Sequence, residues 1–274
     1  MFIKSLIDNR TDNPTLEEEH GLSLYIETKN HKILFDMGQS EAFIHNAIRM
    51  GVDIKGVEVA FISHGHYDHG GGLAAFLKLN EKADVYVTEG AFDEHYSKKR
   101  DGTMKYIGLD QKYKYHPRVR ILKGDASIGS CLQVLKNKRH SYPSPTMNKY
   151  LYKKINGDYM IDDFSHEQSL MVHCDGKTIL IVGCAHNGIL NILDSYEHQV
   201  GSEPNIIIGG FHLSSGSRKE AESPAVVAHI IEVLGNRETE YYTGHCTGID
   251  GYKSLREGLG EQVNYFSAGK TIHI

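Results

Sequence analysis

Four side chains able to bind a metal stand close together: His64, His66, Asp68 and His69, in the run Ser-His-Gly-His-Tyr-Asp-His-Gly-Gly-Gly from Ser63 to Gly72. Imidazole and carboxylate are the donors a borderline divalent cation accepts. The His-x-His alternation sends two rings to one side of an extended segment, and the Asp-His pair can turn toward a second ion. A solvated polar loop rich in histidine is the plain alternative, and the flanks argue against it. Val57 to Ile62 is mostly apolar and β-branched, so it reads as a buried strand. Gly70 to Leu79 reads as a glycine turn feeding a short apolar helix. A ligand loop at the carboxyl end of a buried strand is where an α/β protein places its chemistry.

A metal needs donors from several strands. His186 follows the strand-like Thr178 to Val182, His212 follows Asn205 to Ile208, and His245 follows Glu240 to Thr243, each near glycine. Any one of them alone reads more readily as a hydrogen-bonded loop residue; their succession after strands beside the first run favours ligation for His186 and His245. Ligating histidines usually donate their second N–H to a carboxylate, and Asp36, ending the strand-like Lys32 to Phe35, is the candidate. An ordinary turn aspartate is the competing reading there.

The elements that must position these residues follow from periodicity. Phe2 to Ile7, Leu22 to Glu27 and Lys32 to Asp36 read as strands, and Glu41 to Met50 as a helix closed by Gly51. Ala83 to Thr88 is the next strand. Ser169 to Cys174 and Thr178 to Val182 form a hairpin across Asp175-Gly176, and a helix starts near Gly188. Glu220 to Leu234 reads as a helix with Pro224 in its first turn, and Val263 to Phe266 and Lys270 to Ile274 close the chain as strands. Residues 93–120, crowded with lysine, arginine and tyrosine, and 139–150, with two of the six prolines, look like insertions that form lids or substrate walls.

Length and composition bound the reading. At 274 residues the chain suits one large domain, and its 40% hydrophobic and 24% charged content is that of a globular protein. A net charge of −5 argues against a general nucleic-acid binder. Residues 1–7 are too short and interrupted for a signal peptide, and no stretch is long enough to span a bilayer. Cys131, Cys174, Cys184 and Cys246 show no paired spacing, and two adjoin candidate metal motifs, so reduced thiols in a cytoplasmic protein are expected.

The first run resembles the metallo-β-lactamase superfamily, marked by His-x-His-x-Asp-His. The resemblance implies an α/β fold, an αββα sandwich of two mixed sheets flanked by helices, here as a single domain over 1–274. It implies one or two divalent metal ions, with His64, His66 and His186 holding one and Asp68, His69 and His245 the other. Many members carry an aspartate where this chain has Phe211-His212, so His212 either ligates a metal or faces substrate. Further stretches resemble one branch, labelled 7,8-dihydropterin-6-yl-methyl-4-(β-D-ribofuranosyl)aminobenzene 5′-phosphate synthase. They are Glu19 to Leu24, Phe35 to Ser40, Ser165 to Leu170, Gly183 to Gly188, Gly209 to Leu213 and Gly244 to Gly248. That match draws His20 and His166 in as substrate-contacting residues, against a competing reading as surface histidines.

The expected function is that of a metal-dependent hydrolase using a metal-activated water, oriented by Asp68, on a small phosphorylated or ester-type substrate. Zinc is the default ion, with manganese and iron as alternatives. Ser214 to Arg218, with the Arg218 guanidinium, offers an anion site, and the tyrosine-rich segment 96–120 offers stacking faces. The expected partner is a small anionic molecule, with neither nucleic acid nor membrane; an oligomer is left open. A dihydropterin-methyl transferase is the first alternative and a di-iron redox protein the second. His95 and the remaining histidines read as surface or packing residues.

Overall fold

The computed structural model describes residues 1–215 and 218–274. The chain forms two compact units, one of Met1–Asp93, Ile107–Gly124 and Phe266–Ile274, the other of Glu94–Tyr106 and Asp125–Tyr265.

The first unit is built on a seven-stranded sheet in the order Thr271–His273, Phe2–Ile7, Ser23–Glu27, Lys32–Phe35, Val59–Phe61, Asp84–Thr88, Val119–Leu122. Pairing is antiparallel up to Lys32–Phe35 and parallel beyond it. Parallel neighbours need crossovers, and the helices Ala42–Arg49 and Leu73–Leu79 provide two of them. Phe43, Ala47, Leu73 and Phe76 from these helices pack with Leu34, Ala60, Ile62 and Val85 in one buried cluster. Val119–Leu122, which begins at the end of the 93–120 segment read as an insertion, is an edge strand. Val119 is buried and Ile121 exposed, so it lacks the continuous apolar run that marks a central strand.

The second unit repeats the plan in reverse order of pairing. Its seven-stranded sheet runs Val263–Tyr265, Glu240–Thr243, Ile206–Gly209, Lys177–Ile181, Gln168–Cys174, Leu132–Lys136, Ala126–Ile128. The first three pairings are parallel and the rest antiparallel. Asp175 and Gly176 both take positive φ, 50° and 79°, as a tight two-residue hairpin requires. Helices Ile189–Val200, Pro224–Gly235 and Gly248–Leu259 cover the sheet, with Leu193, Tyr196, Leu234 and Leu255 packed on Leu180, Val182, Ile207 and Val263. The expected helix from Glu220 starts later, at Pro224: Ser223 caps it by accepting from the Val226 N–H at 3.3 Å, and Glu220–Ala221 pairs instead with Ser214–Ser215. A four-stranded sheet of Asp158–Ile161, Leu151–Ile155, His95–Lys98 and Met104–Tyr106 completes this unit. The α/β class expected from the sequence is the class of the fold: mixed sheets flanked by helices.

Asn80 locks the entry to the strand that precedes the histidine run. Fully buried at the end of Leu73–Leu79, it donates to the carbonyls of Ile54 (2.9 Å) and Val57 (2.8 Å) and accepts from the Ala83 N–H at 2.8 Å. Replacing Asn80 with Ala leaves these backbone groups unsatisfied, and the fold should lose about 2–4 kcal/mol. The check is a urea titration: the midpoint should fall at unchanged slope, and an unmoved midpoint would show these bonds to be dispensable.

Candidate metal centre

In the first unit the chain leaves Val59–Phe61, turns through Ser63 to His66, and enters one helical turn, Tyr67–Gly70. His64, His66, Asp68 and His69 are all buried. The three glycines that follow are a matter of space: a Cβ at Gly71 or Gly72 would strike the carbonyl oxygens of Gln39 and Met37. That close passage is fastened by Met37 N–H donating to the His69 carbonyl at 2.7 Å.

Hydrogen bonds to Asp36 decide which ring nitrogens carry protons. This fully buried carboxylate accepts from the Ser63 N–H (2.7 Å), the Ser63 hydroxyl (2.8 Å) and His69 Nδ1 (2.6 Å). His69 Nδ1 is therefore the donor, which in the neutral ring makes Nε2, 3.9 Å from Asp68 Oδ2, the lone-pair nitrogen. The Ser63 hydroxyl donates its one O–H to Asp36, so at 2.9 Å it accepts from His64 Nδ1. His64 Nε2 is then also a lone pair, and it faces His66 Nδ1 at 3.1 Å. His20 Nε2, on a half-exposed side chain, lies 3.2 Å from Asp68 Oδ2.

The second unit gathers His186, His212 and His245, all buried. The His186 ring stacks on Phe164, centroids 4.3 Å apart and planes 8° from parallel, with Nδ1 3.3 Å from Asn148 Oδ1. Its backbone N–H donates to Glu167 Oε1 at 2.7 Å, and Asn187 N–H donates to Oε2 at 2.8 Å. Burial pushes the Glu167 carboxyl up, against these hydrogen bonds. The His212 ring lies 4.2 Å from that of His186. Donor atoms of Cys184, His186 and His212 all fall within 4.8 Å of one another, as do those of Cys184, His245 and Cys246. Burial raises the Cys246 thiol, but Cys184, His212 and His245 outweigh it and hold the thiol well below its ordinary range. Asp36, Ala185, His212 and His245 all have φ between 47° and 59°, the left-handed region that non-glycine residues avoid.

The sequence left His95 as a surface or packing residue and gave Asp162 no role; the structure makes His95 a packing residue and gives Asp162 the role of holding it. His95 is buried, with Nδ1 2.9 Å from Asp162 Oδ2, and His166 Nε2 is 3.2 Å from the same oxygen. Burial raises the Asp162 carboxyl, and its two imidazole partners more than offset this, holding it far below its usual range. His95 had no strand-end glycine to flag it, and its partner is 67 residues away. The expected substrate contact His166 is thus buried against Asp162. Arg218 lies over the Tyr150 ring at 3.6 Å and donates to Glu220 (3.2 Å) and the Lys98 carbonyl (2.9 Å). Gly216 and Ser217 of the expected anion loop lie outside the described residues. Of the tyrosine-rich segment, Tyr96 packs edge-on against Tyr106 and Tyr159, at 5.4 and 4.9 Å.

These donors fit a divalent ion. His212 is buried, yet neither ring nitrogen has a hydrogen-bond partner among the described residues. Such a group costs about 1–3 kcal/mol unless water or an ion satisfies it. Imidazole with one carboxylate and nearby sulfur is a donor set for zinc or iron, whereas magnesium and calcium take oxygen.

Residues 16–137 match the sequence profile of the Metallo-beta-lactamase superfamily. Over 95% of this chain and 92% of the other, the sequence is 26% identical to the 7,8-dihydropterin-6-methyl-4-(beta-D-ribofuranosyl)-aminobenzene-5'-phosphate synthase of Methanocaldococcus jannaschii. It is 29% identical to an uncharacterized protein of the same organism, MJ0448, over 98% of this chain and 97% of the other. The crystal structure of Tm1679, a metal-dependent hydrolase of the beta-lactamase superfamily, superposes with a TM-score of 0.84 at 28% identity, covering 100% of this chain and 99% of that one. The metallo-beta-lactamase fold protein YhfI of Bacillus subtilis shares the fold, with a TM-score of 0.58 at 12% identity, covering 99% and 98% of the two chains. Over residues 16–137 the sequence matches the metallo-β-lactamase superfamily profile, and over its length the chain has the fold of a metal-dependent hydrolase of that superfamily.

Proposed function

We propose that this chain is a metal-dependent hydrolase that uses a metal-activated water on a small, anionic, phosphorylated or ester-type substrate. The observation that carries the reading is the proton pattern set by Asp36. It leaves His64 Nε2 and His69 Nε2 as lone pairs in the same buried turn as the Asp68 carboxylate. His64, His66, Asp68 and His69 are the proposed ligands of the first unit and His186 and His245 those of the second, with zinc favoured and manganese or iron as alternatives. A divalent ion bound there lowers the pKa of water toward neutrality and polarises the scissile group. Asp68 orients the attacking water. His20, half-exposed and 3.2 Å from Asp68 Oδ2, stands where it can meet substrate from solvent.

Transfer is the second reading, favoured by the similarity to the Methanocaldococcus synthase along nearly the whole chain. The same donors would serve a reaction in which a carbon nucleophile, not water, displaces pyrophosphate from a dihydropterin carrier. Incubating the metal-loaded protein with that donor and an aminobenzene ribofuranosyl phosphate separates the two. Hydrolysis predicts only the free pterin alcohol; a coupled product would make the chain a transferase.

Two substitutions test the site itself. Asp68→Ala should abolish turnover and release at least one ion by elemental analysis while the circular dichroism spectrum stays unchanged; full turnover would remove Asp68 from the mechanism. Asp36→Asn keeps the shape but removes the charge that fixes His69 and Ser63. Metal affinity in a competition titration should weaken about 10–100-fold, and wild-type affinity would refute the role given to Asp36.

A further inference from the structure

The proline-bearing segment 142–146 forms one wall of a cavity of about 250 Å³ in the second unit. Leu190, Phe211, Leu213 and Ile230, all buried, contribute to a lining that is almost wholly apolar. The wall is fixed in place. Asn191 clasps Tyr142 at both backbone groups, accepting from its N–H at 2.7 Å and donating to its carbonyl at 2.9 Å. Glu222, itself buried, accepts from the Thr146 N–H and from the Thr146 hydroxyl at 2.8 Å. Between these clamps Pro143 and Pro145 hold φ near one value. A cavity kept open by its own hydrogen bonds suits a ligand, because little order is lost on binding.

Two polar side chains border the cavity. Tyr142 and His229 lie with ring centroids 6.0 Å apart. His229 Nδ1 faces Glu232 Oε2 at 3.5 Å, which in the neutral ring makes Nε2 the lone-pair nitrogen. The Tyr142 hydroxyl has no hydrogen-bond partner among the described residues. Together they offer one donor and one acceptor, which a single hydroxyl group satisfies. A charged head fits worse: the lining holds no lysine or arginine, and its one acid, Glu222, is already taken by Thr146. An apolar cavity of ~150 Å³ holds benzene, so this one takes about ten non-hydrogen atoms, the size of two fused rings. We propose that the cavity binds a neutral hydroxyarene of two fused rings, its rings against Leu190, Phe211 and Ile230 and its hydroxyl between Tyr142 and His229. The proposal stands apart from the metal-centre reading.

Fluorescence anisotropy of 2-naphthol titrated with metal-free protein reads this out. The chain has no tryptophan to interfere, and without metal no ion can hold the naphthol oxygen. Anisotropy should rise to saturation at one ligand per chain. Naphthalene, read by competition, should bind about tenfold more weakly for want of the hydroxyl, and 2-naphthoate should also bind more weakly than 2-naphthol. Val226→Phe, which adds bulk to the cavity lining from helix Pro224–Gly235, should weaken 2-naphthol at least about tenfold. Tyr142→Phe should weaken 2-naphthol severalfold and leave naphthalene unchanged. Absence of saturation, or parental affinity in Val226→Phe, would overturn the site. Naphthalene or 2-naphthoate binding as tightly as 2-naphthol would overturn the ligand class. Should circular dichroism show that Val226→Phe does not fold, Tyr142→Phe decides, and an unchanged affinity for 2-naphthol there would refute the proposal.

Discussion

A buried imidazole is tolerable only when each of its two nitrogens has something to face, and the first unit satisfies that condition through one carboxylate. Asp36 takes three hydrogen bonds, two from Ser63 and one from His69, and through the Ser63 hydroxyl it also sets the proton of His64. Water would have offered many arrangements. At full burial there is one, and it presents lone pairs rather than protons to the same small volume. The geometry of the histidine run and its readiness for a cation are thus consequences of a residue 28 positions or more upstream, on a different strand.

The sheets hold that arrangement under strain. Asp36, Ala185, His212 and His245 occupy left-handed backbone conformations that cost about 1–3 kcal/mol apiece for residues bearing a Cβ. Each follows a strand locked into parallel pairing, so the chain must reverse within a few residues of the last ladder bond. Turning through positive φ does this and throws the side chain off the strand end. Hydrogen bonds to neighbours keep it there: Thr243 Oγ1 donates to the Gly209 carbonyl at 2.8 Å, and Phe211 N–H donates to Thr247 Oγ1 at 2.9 Å. The rigidity needed for a ligand set is in this way supplied by the same strand ends that strain it.

Supporting carboxylates recur in the second unit, with a different task. Glu167 grips the backbone N–H groups of His186 and Asn187 and leaves the His186 ring to Phe164 and Asn148. Asp162 collects two imidazoles on a single oxygen. Three buried acids therefore act chiefly by fixing histidines, and Asp68 is the one in the first run with a half-exposed partner.

By itself the sequence determined the class of fold, the placement of most central strands, and the residue types of the donor set. Those features rest on local patterns: apolar β-branched runs, an Asp-Gly turn, and histidines spaced two apart before glycines. Phe2–Ile7 and Glu240–Thr243 have the bounds their composition implies, because both are short apolar or aromatic segments bounded by polar or glycine residues. Only the tertiary structure decided how protons are shared among the rings, that His95 belongs with Asp162 and His166, and that Cys184 sits among histidines. Edge strands such as Val119–Leu122 also needed it. The reason is physical: these are contacts between groups far apart in the chain, created by strand order and burial, and a local pattern carries no record of which distant side chain will be the partner.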